Sequence, residues 1–206
     1  MGAVLGLGAA TAPLGAQHGA SPGEAWWAEL AGVGPGLHLM EVDSIYEIRG
    51  RDDHDLLREM RRKGPGIDDI GTRLGVHVAQ WRWSYNYRTG GGSDRCRVAD
   101  ATVLLRSVIV LPDWLDRNGA PGEVARAWPR FLAALVEHET GHRNRAKALG
   151  VMLWQSLLGL QAETCEALEA LVSETAQRVV EEGDAAQRAY DRETEHGIRQ
   201  GAVWPP

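Results

Sequence analysis

The sequence predicts an α+β protein: a small, mainly antiparallel sheet, then an amphipathic helix that carries the chemistry, then a long C-terminal helix. Residues 40–48 and 76–88 alternate apolar and polar side chains with a period of two. Beyond Pro112 the period changes to steps of three and four, with Trp128, Phe131, Leu132, Leu135, Val136, Glu139 and His142 on one stripe. Strands precede helices instead of alternating with them, which is the arrangement of an α+β chain.

Residues 21–36, rich in Gly, Pro and Ala and carrying Trp26 and Trp27, read as a linker or a short amphipathic element, so the domain is expected over 37–201 with a tail at 202–206. Met40, Val42, Ser44, Tyr46 and Ile48 form one face of a first strand that Gly50 ends. Asp52 or Asp53 caps a short helix in which Leu56, Leu57 and Met60 share a face, and Gly64, Pro65 and Gly66 close it. The second strand puts Ala79, Trp81, Trp83, Tyr85 and Tyr87 on one side, where strand aromatics bury area as core wall. A turn at Gly90, Gly91, Gly92 and Ser93 leads to a third strand over residues 95–111, stopped by Pro112. Pro129 suits the first turn of the next helix and Gly150 its end. The last helix, from about Cys165 to Glu195, places Leu168, Leu171, Val172, Thr175, Val179, Ala186 and Tyr190 on one side.

Composition narrows the function classes. With 44% hydrophobic and 24% charged residues the chain has the balance of a globular protein. Its net charge of −6 leaves no basic surplus to neutralise a run of phosphates, which argues against nucleic acid as a partner. No apolar stretch approaches the roughly 20 residues of a membrane-spanning helix. Residues 1–17 are uncharged and nearly all small or apolar, like the hydrophobic region and small-residue end of a secretory signal, although a basic start is missing. The two cysteines, Cys96 and Cys165, suit one disulfide in an oxidising compartment or two buried thiols equally well.

The informative segment is His138, Glu139, Thr140, Gly141, His142. Histidines at i and i+4 project from one helical face a turn apart, so two imidazole nitrogens can converge on one tetrahedral Zn²⁺. Glu139 lies beside the first of them, where a carboxylate can take a proton from a metal-held water and return it to a leaving amine. The chemistry implied is hydrolysis of a peptide or similar amide. Chance would supply such a motif in about two of every hundred chains of this length, and its place on an amphipathic helix is the context that gives it meaning. No third histidine follows at short spacing, since His142 is succeeded by Arg143, Asn144, Arg145 and Ala146.

A catalytic zinc needs a third protein ligand and an open fourth position. His196, just before Gly197 at the end of the last helix, is the first candidate; Asp191 is the substitute, placed otherwise to orient a ligand imidazole, and Glu193 and Glu195 compete as oxygen donors. His18, His38, His54 and His77 show no ligand spacing and read as ordinary surface or core histidines.

Seven segments together resemble a known bacterial family: IYEIRG at residues 45–50, KGPG at 63–66, WRWSYNY at 81–87, CRV at 96–98, LPDW at 111–114, VEHETGHR at 136–143 and YDRETEHG at 190–197. That family is domain of unknown function 922, described as predicted secreted zinc-dependent proteases. The resemblance spans roughly residues 39–201, and its most specific parts are the HETGH and YDRETEHG segments. It implies an exported metallopeptidase of the zincin type, acting on a peptide or protein substrate; with it, the residue pattern leads us to expect Zn²⁺ held by His138, His142 and His196, with Glu139 as general base. Tyr190 is then a candidate to donate to the oxyanion of the tetrahedral intermediate. With the secretory-looking start, the resemblance also leads us to expect a Cys96–Cys165 disulfide tying the sheet to the C-terminal helix. Two other readings suit the same residues: a zinc-binding cell-envelope domain without turnover, and a zinc amidase acting on cell-wall peptides.

Overall fold

The structure, a computed structural model, describes residues 33–65, 67–68, 71–72, 74–89 and 95–205. The secretory-like start, His18, the Trp26–Trp27 pair, Gly66 and the turn at Gly90, Gly91, Gly92 and Ser93 lie outside the described residues. In chain order the elements are β1 (Gly36–Ile48), α1 (Asp53–Lys63), β2 (Ile67–Asp68), β3 (Gly71–Thr72), β4 (Val76–Thr89), β5 (Cys96–Trp114), α2 (Gly122–Leu158), β6 (Gln161–Ala162) and α3 (Cys165–Thr194). The fold is α+β as expected, and the sheet is mixed. Its strand order is β1-β5-β4, with β6 antiparallel to the start of β5 and β2 and β3 paired separately.

Three boundaries differ from the sequence expectation, each for a local reason. β5 runs through Pro112 to Trp114. His77, near the start of β4, meets Ser107, so by residue 112 β5 has outrun β4 and needs no donor on that side. Pro129 lies in the second turn of α2, because the helix starts upstream, where Ala125 N–H already bonds Pro121 C=O at 3.0 Å. Gly150 does not end α2: a Cβ there would meet Leu37 Cδ1 at 3.0 Å and Trp81 Cζ3 at 3.1 Å, so the glycine admits neighbouring side chains against the helix.

Contacts divide the chain into two units. Of the described residues, the first comprises those up to Met40, those within Gln80–Arg106 and Lys147–Glu182. Its core joins Trp83 and Tyr85 of β4 to Val98 and Val103 of β5, Leu149, Leu153 and Leu157 of α2, and Leu168, Val172 and Val179 of α3. The strand aromatics are core wall, as their alternation predicts. Cys96 and Cys165, which begin β5 and α3, form a disulfide with a Cα separation of 5.0 Å. It closes a loop of sequence separation 69, so replacing both cysteines by serine is expected to lower stability by about 2–4 kcal/mol in urea unfolding. An unchanged midpoint and slope would show that the link constrains nothing.

The second unit comprises Glu41–Ala79, Ser107–Ala146 and Gly183–Pro206. Asp52 caps α1 by accepting from Asp55 N–H at 2.8 Å, and Leu56 and Met60 bury the helix against Ile48, Trp114, Trp128 and Phe131. The expected tail belongs to this core. Trp204 is 5% exposed, packs with ring centroids 5.3 Å from both Trp128 and Phe131, and donates its indole N–H to Asp53 C=O at 3.0 Å. Burial of so large a ring holds the last residues in place, and with them the segment that reaches the site.

Candidate metal centre

Two helical faces of the second unit build the site. His138, Glu139, Gly141 and His142 occupy one face of α2, and Gln187, Tyr190, Asp191 and Thr194, spaced i, i+3, i+4 and i+7, occupy one face of α3. Tyr190 is the hinge of the contact. Its ring stacks on His138 with centroids 5.2 Å apart, stands edge-on to His142 at 5.0 Å, and lies under the Arg145 guanidinium at 3.6 Å. A Cβ on residue 141 would overlap the Tyr190 hydroxyl, so the glycine inside the HETGH segment is what lets α3 come this close.

His138 Nε2 and His142 Nε2 are 3.2 Å apart, and Asp191 Oδ1 lies 2.9 Å from the second and 3.4 Å from the first. Their other ring nitrogens face amide oxygens: His138 Nδ1 is 3.0 Å from Gln200 Oε1, and His142 Nδ1 is 2.7 Å from Gln187 Oε1. The amide orientations follow from their nitrogens. Gln187 Nε2 donates to His142 C=O at 3.1 Å and Gln200 Nε2 to the Glu137 carboxylate at 3.4 Å, acceptors that only the NH₂ end can serve. Each Nδ1 therefore carries the proton, and two Nε2 lone pairs and a carboxylate oxygen point at one another. A proton on His142 relieves part of that repulsion, and a divalent cation relieves all of it. The residues thus fit a metal.

The local charges agree. Burial alone would raise the Asp191 pKa, but hydrogen bonds that His138 and His142 donate when their Nε2 atoms are protonated, and the charges of His142 and His196, hold it well below the usual carboxylate range. Burial alone would lower that of His142, and it is outweighed by hydrogen bonds to Asp191 and Gln187 and by the charges of Asp191 and Glu139, which raise it. Among the described residues, the ligand-type atoms lying within 4.8 Å of one another come from His138, His142 and Asp191.

Behind this trio lies a chain of buried polar groups that the sequence did not announce. Arg143, 8% exposed, donates from Nε to Ser107 Oγ at 3.0 Å and from Nη2 to Val42 C=O at 2.9 Å and Asp43 at 2.6 Å. The Ser107 hydroxyl, which accepts from Arg143, also hydrogen-bonds His77 Nε2 at 2.9 Å. The His77 ring lies parallel to that of His142, centroids 6.4 Å apart. Burial, with the charges of His142 and Arg143, pushes its pKa down from 6.5 to about 4. The unfolded chain then binds a proton between those values that the folded chain refuses, so stability present above pH 6.5 is lost as pH falls toward 4, by up to about 3 kcal/mol. In an NMR titration the His77 ring is expected to stay neutral down to pH 5; a midpoint near 6.5 would contradict the buried hydrogen bond.

The structure gathers His138, Glu139, His142, Tyr190 and Asp191 and leaves His196 beside them. His196, with its side chain 38% exposed, places Nδ1 3.6 Å from Asp191 Oδ1, beside the trio and outside it. Asp191, the substitute candidate, is the one that lies against His142, because α3 is still helical at residue 191, whereas residue 196 comes after the helix has ended. The Tyr190 hydroxyl accepts from Gln200 Nε2 at 3.2 Å and is pressed on the backbone at Gly141. Glu139 is 4% exposed, and its charge acts on His142. Sequence reasoning missed Gln187 and Gln200; the spacing of Gln187, one turn before Asp191, was the single available signal.

Fold and site together define an α+β protein with a histidine, histidine, carboxylate centre between two helices. The model of a family described as "Bacterial protein of unknown function (DUF922)" matches residues 44–197, and the chain belongs to that family. Comparison with curated proteins and with solved structures gave no match.

Proposed function

We propose that this chain is an exported zinc-dependent hydrolase of peptide bonds or related amides, of the zincin type. The convergence of His138 Nε2, His142 Nε2 and Asp191 Oδ1, with both outer nitrogens already committed to amide oxygens, carries the reading. These three residues hold the metal. Imidazole nitrogens and a carboxylate oxygen are the donors of catalytic zinc sites, where three protein ligands leave a position open. When bound, the cation supplies positive charge for a carbonyl oxygen and makes water acidic enough to attack at neutral pH.

Glu139 is the general base. It follows His138 on the helix, is buried where its charge is felt at His142, and accepts the proton of the attacking water before passing it to the leaving amine. Tyr190 acts as the wall that seats both imidazoles, its hydroxyl already engaged by Gln200. His196 flanks the carboxylate and is not a ligand in this reading. The disulfide supports an oxidising compartment, and no helix among the described residues is long and apolar enough to cross a membrane.

The test is a broad peptide-cleavage screen of purified protein with zinc, with chelator and after zinc is restored. Cleavage that follows the metal supports the proposal. Zinc bound without cleavage of peptides or of cell-wall fragments would favour a metal-binding domain without turnover.

A further inference from the structure

We propose that Gln187 and Gln200 are the positioning residues of this centre, fixing His142 and His138 as their Nδ1–H tautomers so that both Nε2 lone pairs are presented to one cation. The inference rests on the metal reading above and deepens it. A histidine free in water exchanges its proton between two nitrogens, and a ring in the wrong tautomer, or turned over, offers the metal a hydrogen in place of a lone pair. At this site the choice is removed for each ring separately. Gln187 is anchored by donating to the carbonyl of His142, so the same residue that supplies the ring also fixes its acceptor. Gln200 is anchored at its NH₂ end by Glu137 and the Tyr190 hydroxyl. Thr194 Oγ1, 3.4 Å from His138 Nδ1 and itself donating to Tyr190 C=O at 2.8 Å, offers that ring a second oxygen.

The backbone supports this assignment. Gln200 reaches His138 only because the chain reverses after α3, through Glu195 and His196 in the left-handed region (φ 50° and 54°) and Gly197 at φ 86°. Two consecutive non-glycine residues in that region are costly and persist where the surroundings hold them. Here they are held by His196 N–H on Asp191 C=O at 2.8 Å and Ala202 N–H on Gly197 C=O at 3.0 Å. A Cβ at residue 197 would come 3.1 Å from His138 Cγ, so the reversal is fitted to that ring. Both acceptors are neutral amides, which leaves Asp191 as the single negative charge among the trio and its two outer partners. A metal so held keeps more of its positive charge for a substrate than one with carboxylates behind the imidazoles.

The experiment has two readouts. In the metal-free full chain at pH 9, imidazole ¹⁵N spectra are expected to show His138 and His142 as Nδ1–H tautomers. Zinc affinity, measured by competition with a chromophoric chelator, is expected to fall about 10- to 100-fold in Gln187→Leu and in Gln200→Leu and to be retained in Gln187→Glu, which keeps the acceptor oxygen. Nε2–H tautomers in the wild type, or leucine variants that bind zinc as tightly as the wild type, would overturn the proposal. If a leucine variant fails to fold, the wild-type spectra still decide. Nδ1–H tautomers in a wild-type chain that binds no zinc would support the positioning pair and overturn the metal reading.

Discussion

Replacing Asp191 by alanine is expected to cost more zinc affinity than any outer-partner change, well beyond the 10- to 100-fold of the glutamine variants, because it removes a metal donor and leaves two imidazoles. His196→Ala is expected to bind zinc within a few-fold of wild type, since its ring stands at the exposed flank of the carboxylate. Chelator competition at a fixed pH measures both. The pH must be held because protons compete for His142 and Asp191, and affinity falls as the solution is acidified. The reverse pattern, in which His196→Ala loses the metal and Asp191→Ala keeps it, would return His196 to the ligand set.

Glu139→Gln is expected to keep zinc and lower the rate of hydrolysis by about 10²- to 10⁴-fold on any substrate found in the peptide screen. The amide preserves the shape of a buried side chain but cannot accept the water's proton. Stopped assays on wild type and variant at matched zinc content measure the difference. Undiminished turnover removes Glu139 from the mechanism, and loss of metal together with activity would place it among the ligands.

Much of this centre is readable from residue spacing, because spacing along one helix is geometry. His138 and His142 share a face wherever that segment is helical, and Tyr190 follows from the period of α3 in the same way. Strands β1 and β4 were legible from their alternation, and Asp52 from its place before α1. What spacing cannot supply is a partner chosen by tertiary contact. Gln187 and Gln200 reach the imidazoles across 45 and 62 residues, and glutamine in a polar helix reads as solvated. Ser107 sits inside an apolar strand and gives no hint that it links Arg143 to His77 across 36 and 30 residues. Gly150 and Gly141 have a similar origin. Glycine near a helix end signals a stop, yet both lie within α2, one admitting Leu37 and Trp81 and the other Tyr190. Ala186, assigned to the buried side of α3, is exposed, and its neighbour Gln187 turns toward His142 instead.

Whether one zinc ion is held by two imidazoles and one carboxylate can be read from X-ray absorption at the zinc edge of the loaded full chain. One zinc per chain is expected after dialysis, with nitrogen and oxygen donors at about 2.0–2.2 Å that include two imidazoles and further oxygen. A chain that retains no zinc, or a shell containing three or more imidazoles, would contradict it.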